Sequence, residues 1–312
     1  MKKWLLILSM LCVAPSLAWA KEIWPKEIPA QDLRMYPVYD AVAVGKRIIA
    51  VGEWGLILTS ADGGQKWALQ QAPTEETLTE VRFIDESSGW AVGHHGTILK
   101  TTDGGATWTA RTPDMQASDP LLGVYFADKE HGFTVGSFGF LLETKDGGKT
   151  WQKRDIGQGD MHLKAINGSP DGNIYIAGEQ GKVLRSSDHG ANWKLLQTGY
   201  KGSFWGVLVT DKAVLLHGMR GTIYLSENRG QSWTKIASNT TVGLIAGVAL
   251  SPSTIVLAGA EGTVLQSTDG GRSFTAASLA DHSPINTAVP LSSSSALLLG
   301  RSVPNVFKLT TP

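Results

Sequence analysis

The sequence predicts an all-β chain: a seven-bladed β-propeller of four-stranded blades, the last blade closed by an N-terminal strand. Three observations carry this. First, an eight-residue pattern, Ser/Thr-x-Asp-x-Gly-x-x-Trp, recurs as SADGGQKW (60–67), TTDGGATW (101–108), TKDGGKTW (144–151), SSDHGANW (186–193), SENRGQSW (226–233) and STDGGRSF (267–274). Its third residues, Asp62, Asp103, Asp146, Asp188, Asn228 and Asp269, follow one another at steps of 40 to 43 residues, the mark of a repeat architecture. Second, a Gly-x-x-Gly turn keeps the same step, its first glycine falling at Gly52, Gly93, Gly136, Gly178, Gly218 and Gly259, with Gly300 opening a seventh unit. Third, each unit divides into four short apolar or alternating runs separated by turn residues. In the third unit these are 121–128, 131–137, 140–145 and 150–155, and four strands per roughly 40 residues describe a propeller blade.

The N-terminus precedes this pattern. A basic start (MKK), an apolar run (WLLILSMLCVA) and Ala18 and Ala20 before Lys21 read as a secretory signal cut after residue 20. The apolar run is too short to span a bilayer. Cys12, the one cysteine of 312 residues, lies inside that signal, and Leu11 stands before it where a lipoprotein signal wants a small residue. Residues 21–312 then form a single propeller domain without disulfides. The last unit supplies three strands and stops, whereas WPKEIP (24–29) aligns with the fourth-strand text WTARTP (108–113). Residues 24–29 are therefore expected to pair with 305–310 and complete the last blade, which leaves no open edge.

The composition is turn-rich and balanced in charge: 36 glycines, 11 tryptophans, 28 basic and 28 acidic residues. No basic footprint for nucleic acid is visible. In the eight-residue pattern the glycines suit positive φ, the Ser/Thr and Asp side chains suit local hydrogen bonds, and the Trp suits burial between blades. Asn228 keeps the acceptor and loses the charge, so a hydrogen-bonding role is expected and not a calcium loop.

The turn between the second and third strands of a blade lies on the opposite face from this pattern. Its variable residues should ring the central channel: Glu53 and Trp54, His94 and His95, Ser137 and Phe138, Glu179 and Gln180, Met219 and Arg220, Ala260 and Glu261, with Arg301 in the seventh blade. The blade connections add Met115, Asp160, Met161, His162, Tyr200, Phe204 and Trp205. Exposed aromatics, Met and single charges suit protein recognition. The alternative is that Trp54, Phe138 and Trp205 plug the channel. His94 and His95 with Glu53 hint at a metal, but adjacent residues point apart and further ligands are not placed. Neither metal nor cofactor is expected.

Ser/Thr-x-Asp-x-Gly-x-x-Trp is the Asp-box, shared by sialidases and many non-enzymatic propellers. The fuller stretch VGHHGTILKTTDGGATW (92–108) resembles the photosystem II stability/assembly factor family, seven-bladed propellers of chloroplasts and cyanobacteria with relatives in non-photosynthetic bacteria. That resemblance implies a non-enzymatic, exported scaffold, a monomer in the periplasm or an equivalent thylakoid lumen. It implies a membrane-protein partner: photosystem II in a photosynthetic host, or an exporter of the resistance-nodulation-division class elsewhere. Two other functions fit an Asp-box propeller. A sialidase-like glycoside hydrolase needs clustered arginines and a carboxylate acid; RMYP (34–37) is a poor match to its Arg-Ile-Pro signature, and such short loops wall no deep pocket. A carbohydrate-binding propeller would use Trp54 or Trp205 as stacking platforms.

Overall fold

The computed structural model describes residues 27–111, 113, 119–157 and 159–309. Seven antiparallel sheets follow one another along the chain. Blade one comprises Val38–Val44, Arg47–Gly52, Leu56–Ser60 and Lys66–Gln71. Blades two to six repeat the meander from Leu78–Phe83, Leu121–Phe126, Leu163–Gly168, Phe204–Val209 and Leu244–Ala249, each with four strands. Blade seven has three among the described residues, Ile285–Ser292, Ser295–Gly300 and Asn305–Lys308. The all-β, seven-bladed reading holds. The signal (1–20), Trp24 and Met115 lie outside the described residues.

The N-terminal segment adds detail that the sequence did not suggest. Ile28 and Pro29 pair with Trp67 and Lys66, on the outer strand of blade one. At these two residues the partner is thus blade one and not 305–310; residues 24–26 fall outside the described part. A six-residue 3-10 helix, Ala30–Met35, follows. Ile28 and Leu33 are buried in a cluster with Val38 and Trp67 of blade one and Val289, Leu297 and Leu299 of blade seven. The segment therefore seals the junction where the chain meets itself, through apolar burial on both blades.

Each Asp-box is the turn between third and fourth strands, and its side chains are spent inside the turn. In blade two, Thr101 Oγ1 donates to Asp103 Oδ1 (2.8 Å) and accepts from the Gly105 N–H (2.9 Å). Asp103 also accepts from the Thr107 N–H (2.9 Å) and hydroxyl (2.6 Å). In blade five, Asn228 Oδ1 takes the same bonds from Ser226 Oγ and the Ser232 N–H, while its Nδ2 donates to Ser232 Oγ (2.8 Å). The amide replaces the carboxylate by reversing one donor, as the hydrogen-bonding reading requires.

The turn delivers a glycine against the preceding blade. Gly105 has φ +84°, and a Cβ there would stand 2.6 Å from Ile49 Cδ1 of blade one. The box tryptophan fills the space beside it: Trp67, Trp108 and Trp151 are at most 8% exposed, and Trp108 packs with Val44, Ile49 and Ile57 of blade one.

Hydrogen bonds from the Thr107 side chain and N–H, then from Thr101, hold the Asp103 carboxylate down to about 2. A folded-state value below the usual one near 4 stabilises the fold fully above about pH 4 and is lost as pH falls through about 2. Asp103→Ala should cost about 1–2 kcal/mol at pH 7. Asp103→Asn should cost under about half of that, because Asn228 shows how the amide is accommodated. Urea unfolding of both variants checks this; equal losses would show that the charge itself holds the turn.

Candidate partner-binding face

On the opposite face, each turn between second and third strands is set by a close approach of the entering chain. Glu53 donates its N–H to Pro37 O (3.2 Å), and a Cβ at Gly52 would meet that same carbonyl at 1.9 Å. The first glycine is thus required by contact with the entering chain, not by its φ of −170°, which any residue adopts. The turn closes with the Leu56 N–H on Glu53 O, and both central residues, Trp54 (φ 54°) and Gly55 (φ 67°), are left-handed. That is the I′ geometry that right-twisted strands favour.

The first central residue is never glycine. Trp54, His95, Phe138, Gln180, Arg220 and Glu261 all sit at φ between 51° and 57°, a conformation that costs a non-glycine residue roughly 1–2 kcal/mol. All six are exposed. Trp54 is 72% exposed and Phe138 53%, so neither plugs the channel. The sequence named five of the six as partner-binding residues, together with Gln180 as a member of the ring, without anticipating that the backbone there is strained. Strain of this kind persists at recognition and switch sites.

Several residues before the tips are engaged by neighbouring blades or strands. Glu53 accepts from Tyr39 Oη (2.9 Å) and is ion-paired with Arg301, which joins the rims of blades one and seven. Glu179 approaches the His162 N–H (3.4 Å), and the Tyr200 hydroxyl donates to Met219 O (3.2 Å). His95 pairs with Glu76 (2.7 Å), which the sequence did not single out, and His94 turns to the channel. His94, His95 and Glu53 are therefore not brought to one point. Among the described residues, no three His, Cys, Asp or Glu side chains converge as a metal site. Phe138 packs against His162 with the ring centroids 4.8 Å apart and the planes tilted by 48°. Met161 and Phe204, expected on this face, are buried at 5% and 0% exposure and belong to the core.

Inside the rim lies the channel, a cavity of about 780 Å³ lined by the first strands of the blades and by Trp205, half-buried in its wall. Its polar groups link neighbouring blades. Asp40 accepts from the Val81 N–H of blade two (3.0 Å) and the Thr287 hydroxyl of blade seven (2.9 Å). Glu80 accepts from the Val124 N–H of blade three (3.0 Å) and from Arg82 (2.7 Å). Asn167 donates to Val207 O, and Asn286 to Val38 O. Burial pushes Glu80 up to about 7 against the pull of Arg82, with Asp40 adding to the rise. His217, buried and bonded to Leu244 O (3.1 Å), is pushed down to about 4 and stays neutral.

The arginines of a sialidase-like site are dispersed. Arg82 is held by Glu80 in the channel, Arg301 by Glu53 at the rim, and Arg34 lies in the 3-10 helix. Arg220 lies at the tip of blade five.

Residues 59–120 and 112–254 match the family of the photosynthesis system II assembly factor YCF48. The chain belongs to this family. Among curated proteins no significant match is found. Among solved structures, a YCF48 bound to D1 peptide superposes with a TM-score of 0.73 at 20% identity, covering 93% of this chain and 96% of the other. YCF48 from Cyanidioschyzon merolae gives 0.68 at 17% identity, covering 86% and 94%. U3-55K gives 0.69 at 11% identity, covering 85% and 88%. At these identities the likeness establishes the shared propeller fold. Among the described residues no helix is long and apolar enough to cross a membrane.

The strained tips give a test of their own. Trp54→Gly removes an exposed side chain and relieves its left-handed backbone, so it should raise stability by about 1 kcal/mol. A thermal melt checks this; a lower melting temperature would mean that Trp54 contributes packing.

Proposed function

We propose that this YCF48-family chain is an exported, non-enzymatic scaffold that holds a membrane-protein partner on its channel face. Its signal (1–20) is removed, and residues 21–312 act as one propeller in the periplasm or thylakoid lumen. The observation that supports this most is the set of six exposed, non-glycine residues held left-handed at the turn tips. Glycine would be the unstrained choice at each, and although His95 pairs with Glu76 and Phe138 packs on His162, all six side chains stay exposed to meet a partner outside the fold. The partner-binding residues are Glu53, Trp54, His94, His95, Phe138, Glu179, Trp205, Met219, Arg220, Glu261 and Arg301. Trp54, Phe138 and Arg220 are the anchors, being residue types that concentrate binding energy. Glu53 and Arg301 fix the rim.

Family membership favours a partner under assembly, and a solved relative holds a D1 peptide. In a photosynthetic host the partner is photosystem II; in another bacterium it is an inner-membrane complex such as an exporter of the resistance-nodulation-division class. The tips of different blades grip an extended segment from several sides, and a monomer suffices.

Purified protein immobilised against a detergent extract of host membranes tests this. Trp54→Ala combined with Arg220→Ala should weaken capture at least about tenfold while leaving the melting temperature within a few degrees. Lys149→Ala, on the Asp-box face, should capture normally. Capture that survives the double change but fails with Lys149→Ala would place recognition on the other side. Turnover of a sialoside, or selective retention of a glycan by wild type, would favour the hydrolase or lectin reading.

A further inference from the structure

Blade five departs from the repeat on the Asp-box face, and its departures meet at one place. A cavity of about 330 Å³ lies between blades four and five, lined by the Ser169–Asn173 turn, the Thr210–Ala213 turn, Glu227, Arg229 and Tyr175. Tyr175 occupies the second-strand position against which the next blade's box glycine packs. Its counterparts beside Gly64, Gly105, Gly148, Gly190 and Gly271 are Leu297, Ile49, Trp90, Phe133 and Leu215. Four of these carry no polar atom, and Trp90 gives its Nε1–H to Gly147 O. The Tyr175 hydroxyl, on a residue only 1% exposed, finds no hydrogen-bond partner among the described residues. An unpaired buried hydroxyl costs free energy on the order of 1–3 kcal/mol unless something supplies the bond.

Two substitutions in the facing turn shift its charge in one direction. Asn228 replaces the aspartate that stands in the other five boxes, which removes a negative charge. Arg229 replaces the glycine found at this point in four of them, Gly63, Gly104, Gly147 and Gly270, which adds a positive one. Arg229 does so from a left-handed backbone, φ 58°, where glycine is unstrained. Its guanidinium pairs with Asp171 (3.1 Å) and has donors to spare. The acidic residue that the turn gains, Glu227, is tied to Arg272 of blade six. Burial keeps the Tyr175 phenol protonated; in the lining Lys212 and Arg229 stand with Asp171, Asp211 and Glu227, of which Asp171 and Glu227 are ion-paired to arginines.

We propose that this cavity binds a small oxyanion, a carboxylate or a phosphate group, which accepts the Tyr175 hydroxyl proton and faces the Arg229 guanidinium. The site is on the opposite face from the partner-binding turns and stands or falls apart from them.

Two substitutions test it with sister-blade residues, so folding is safe: Tyr175→Phe, the residue of blade three, and Arg229→Gly, the residue of four other boxes. Inorganic phosphate and succinate are titrated at constant ionic strength against full-length mature protein, with the melting temperature and the tyrosine ring NMR signals as readouts. Wild type should respond saturably to at least one probe, and each variant should bind it at least about tenfold more weakly, the loss of one charge-assisted hydrogen bond. A response to phosphate alone identifies a phosphate site; a response to succinate alone identifies a carboxylate site. No saturable response in wild type, or the same response in wild type and both variants (an adventitious ion only), overturns the proposal.

Discussion

The bond from a box glycine N–H to the Ser or Thr hydroxyl four residues earlier is the interaction on which the rest of the molecule depends. It is 2.7–2.9 Å in all six boxes. It pins a glycine without Cβ at the one place where the preceding blade comes too close for any side chain, and so sets the distance between blades. The contacts run one way around the ring. Gly105 rests on Ile49, Gly148 on Trp90, Gly190 on Phe133, Gly230 on Leu196 and Tyr175, and Gly271 on Leu215, each in the blade before. Gly64 of blade one rests on Leu297 of blade seven, so the same device closes the circle. Six boxes serve seven junctions. Blade seven has no box, and its junction with blade six relies on an apolar cluster that includes Val256, Ala258, Ile285, Ala288 and Leu298, with Phe307 packed against it.

Fixing the blades from one face frees the other. Along the channel the first strands are joined by hydrogen bonds in which a carboxylate accepts from a backbone N–H of the next blade, Asp40 from Val81 and Glu80 from Val124. These bonds satisfy backbone groups that the first strands, at the inner edges of their sheets, would leave unpaired. Beyond them, the turn backbones are held by their own closure and by the entering chain, as Glu53 N–H is by Pro37 O. The tip residue can therefore differ in each of blades one to six (Trp, His, Phe, Gln, Arg, Glu) while its φ stays between 51° and 57°. A constant frame with a variable tip is how repeat proteins build recognition surfaces.

The fold was legible because the frame needs particular residues at particular steps. Gly105 has no substitute where Ile49 stands 2.6 Å away, and such positions write themselves into the sequence. The role of Asn228 was legible for the same reason, since only the acceptor is shared by all six boxes. Less was visible where geometry, not residue type, decides. Nothing in the letters of Trp54 or Arg220 announces a left-handed backbone; the glycine that follows each was the only hint. The latches of the channel join Asp40 to Val81 or Glu80 to Val124 across some 40 residues, and they carry no common residue type that a repeat search would register. Met161 and Phe204 were placed at the rim because they flank blade connections, yet each begins or precedes an inner strand whose alternation turns it inward. The pairing of Ile28–Pro29 with blade one was missed because two residues carry too little pattern to choose between neighbouring edges.

The central claim is a division of labour: the Asp-box face builds the propeller and the channel face recognises the partner. Site-specific photo-crosslinking in living cells tests it most directly, with a photoreactive phenylalanine analogue placed at position 138 or at position 149 of the full-length protein. Both positions are exposed, and neither supports the core. A membrane-protein adduct formed from position 138 and absent from position 149 is the expected result. An adduct from 149 with none from 138 would contradict it, and would move recognition to the face that the frame occupies.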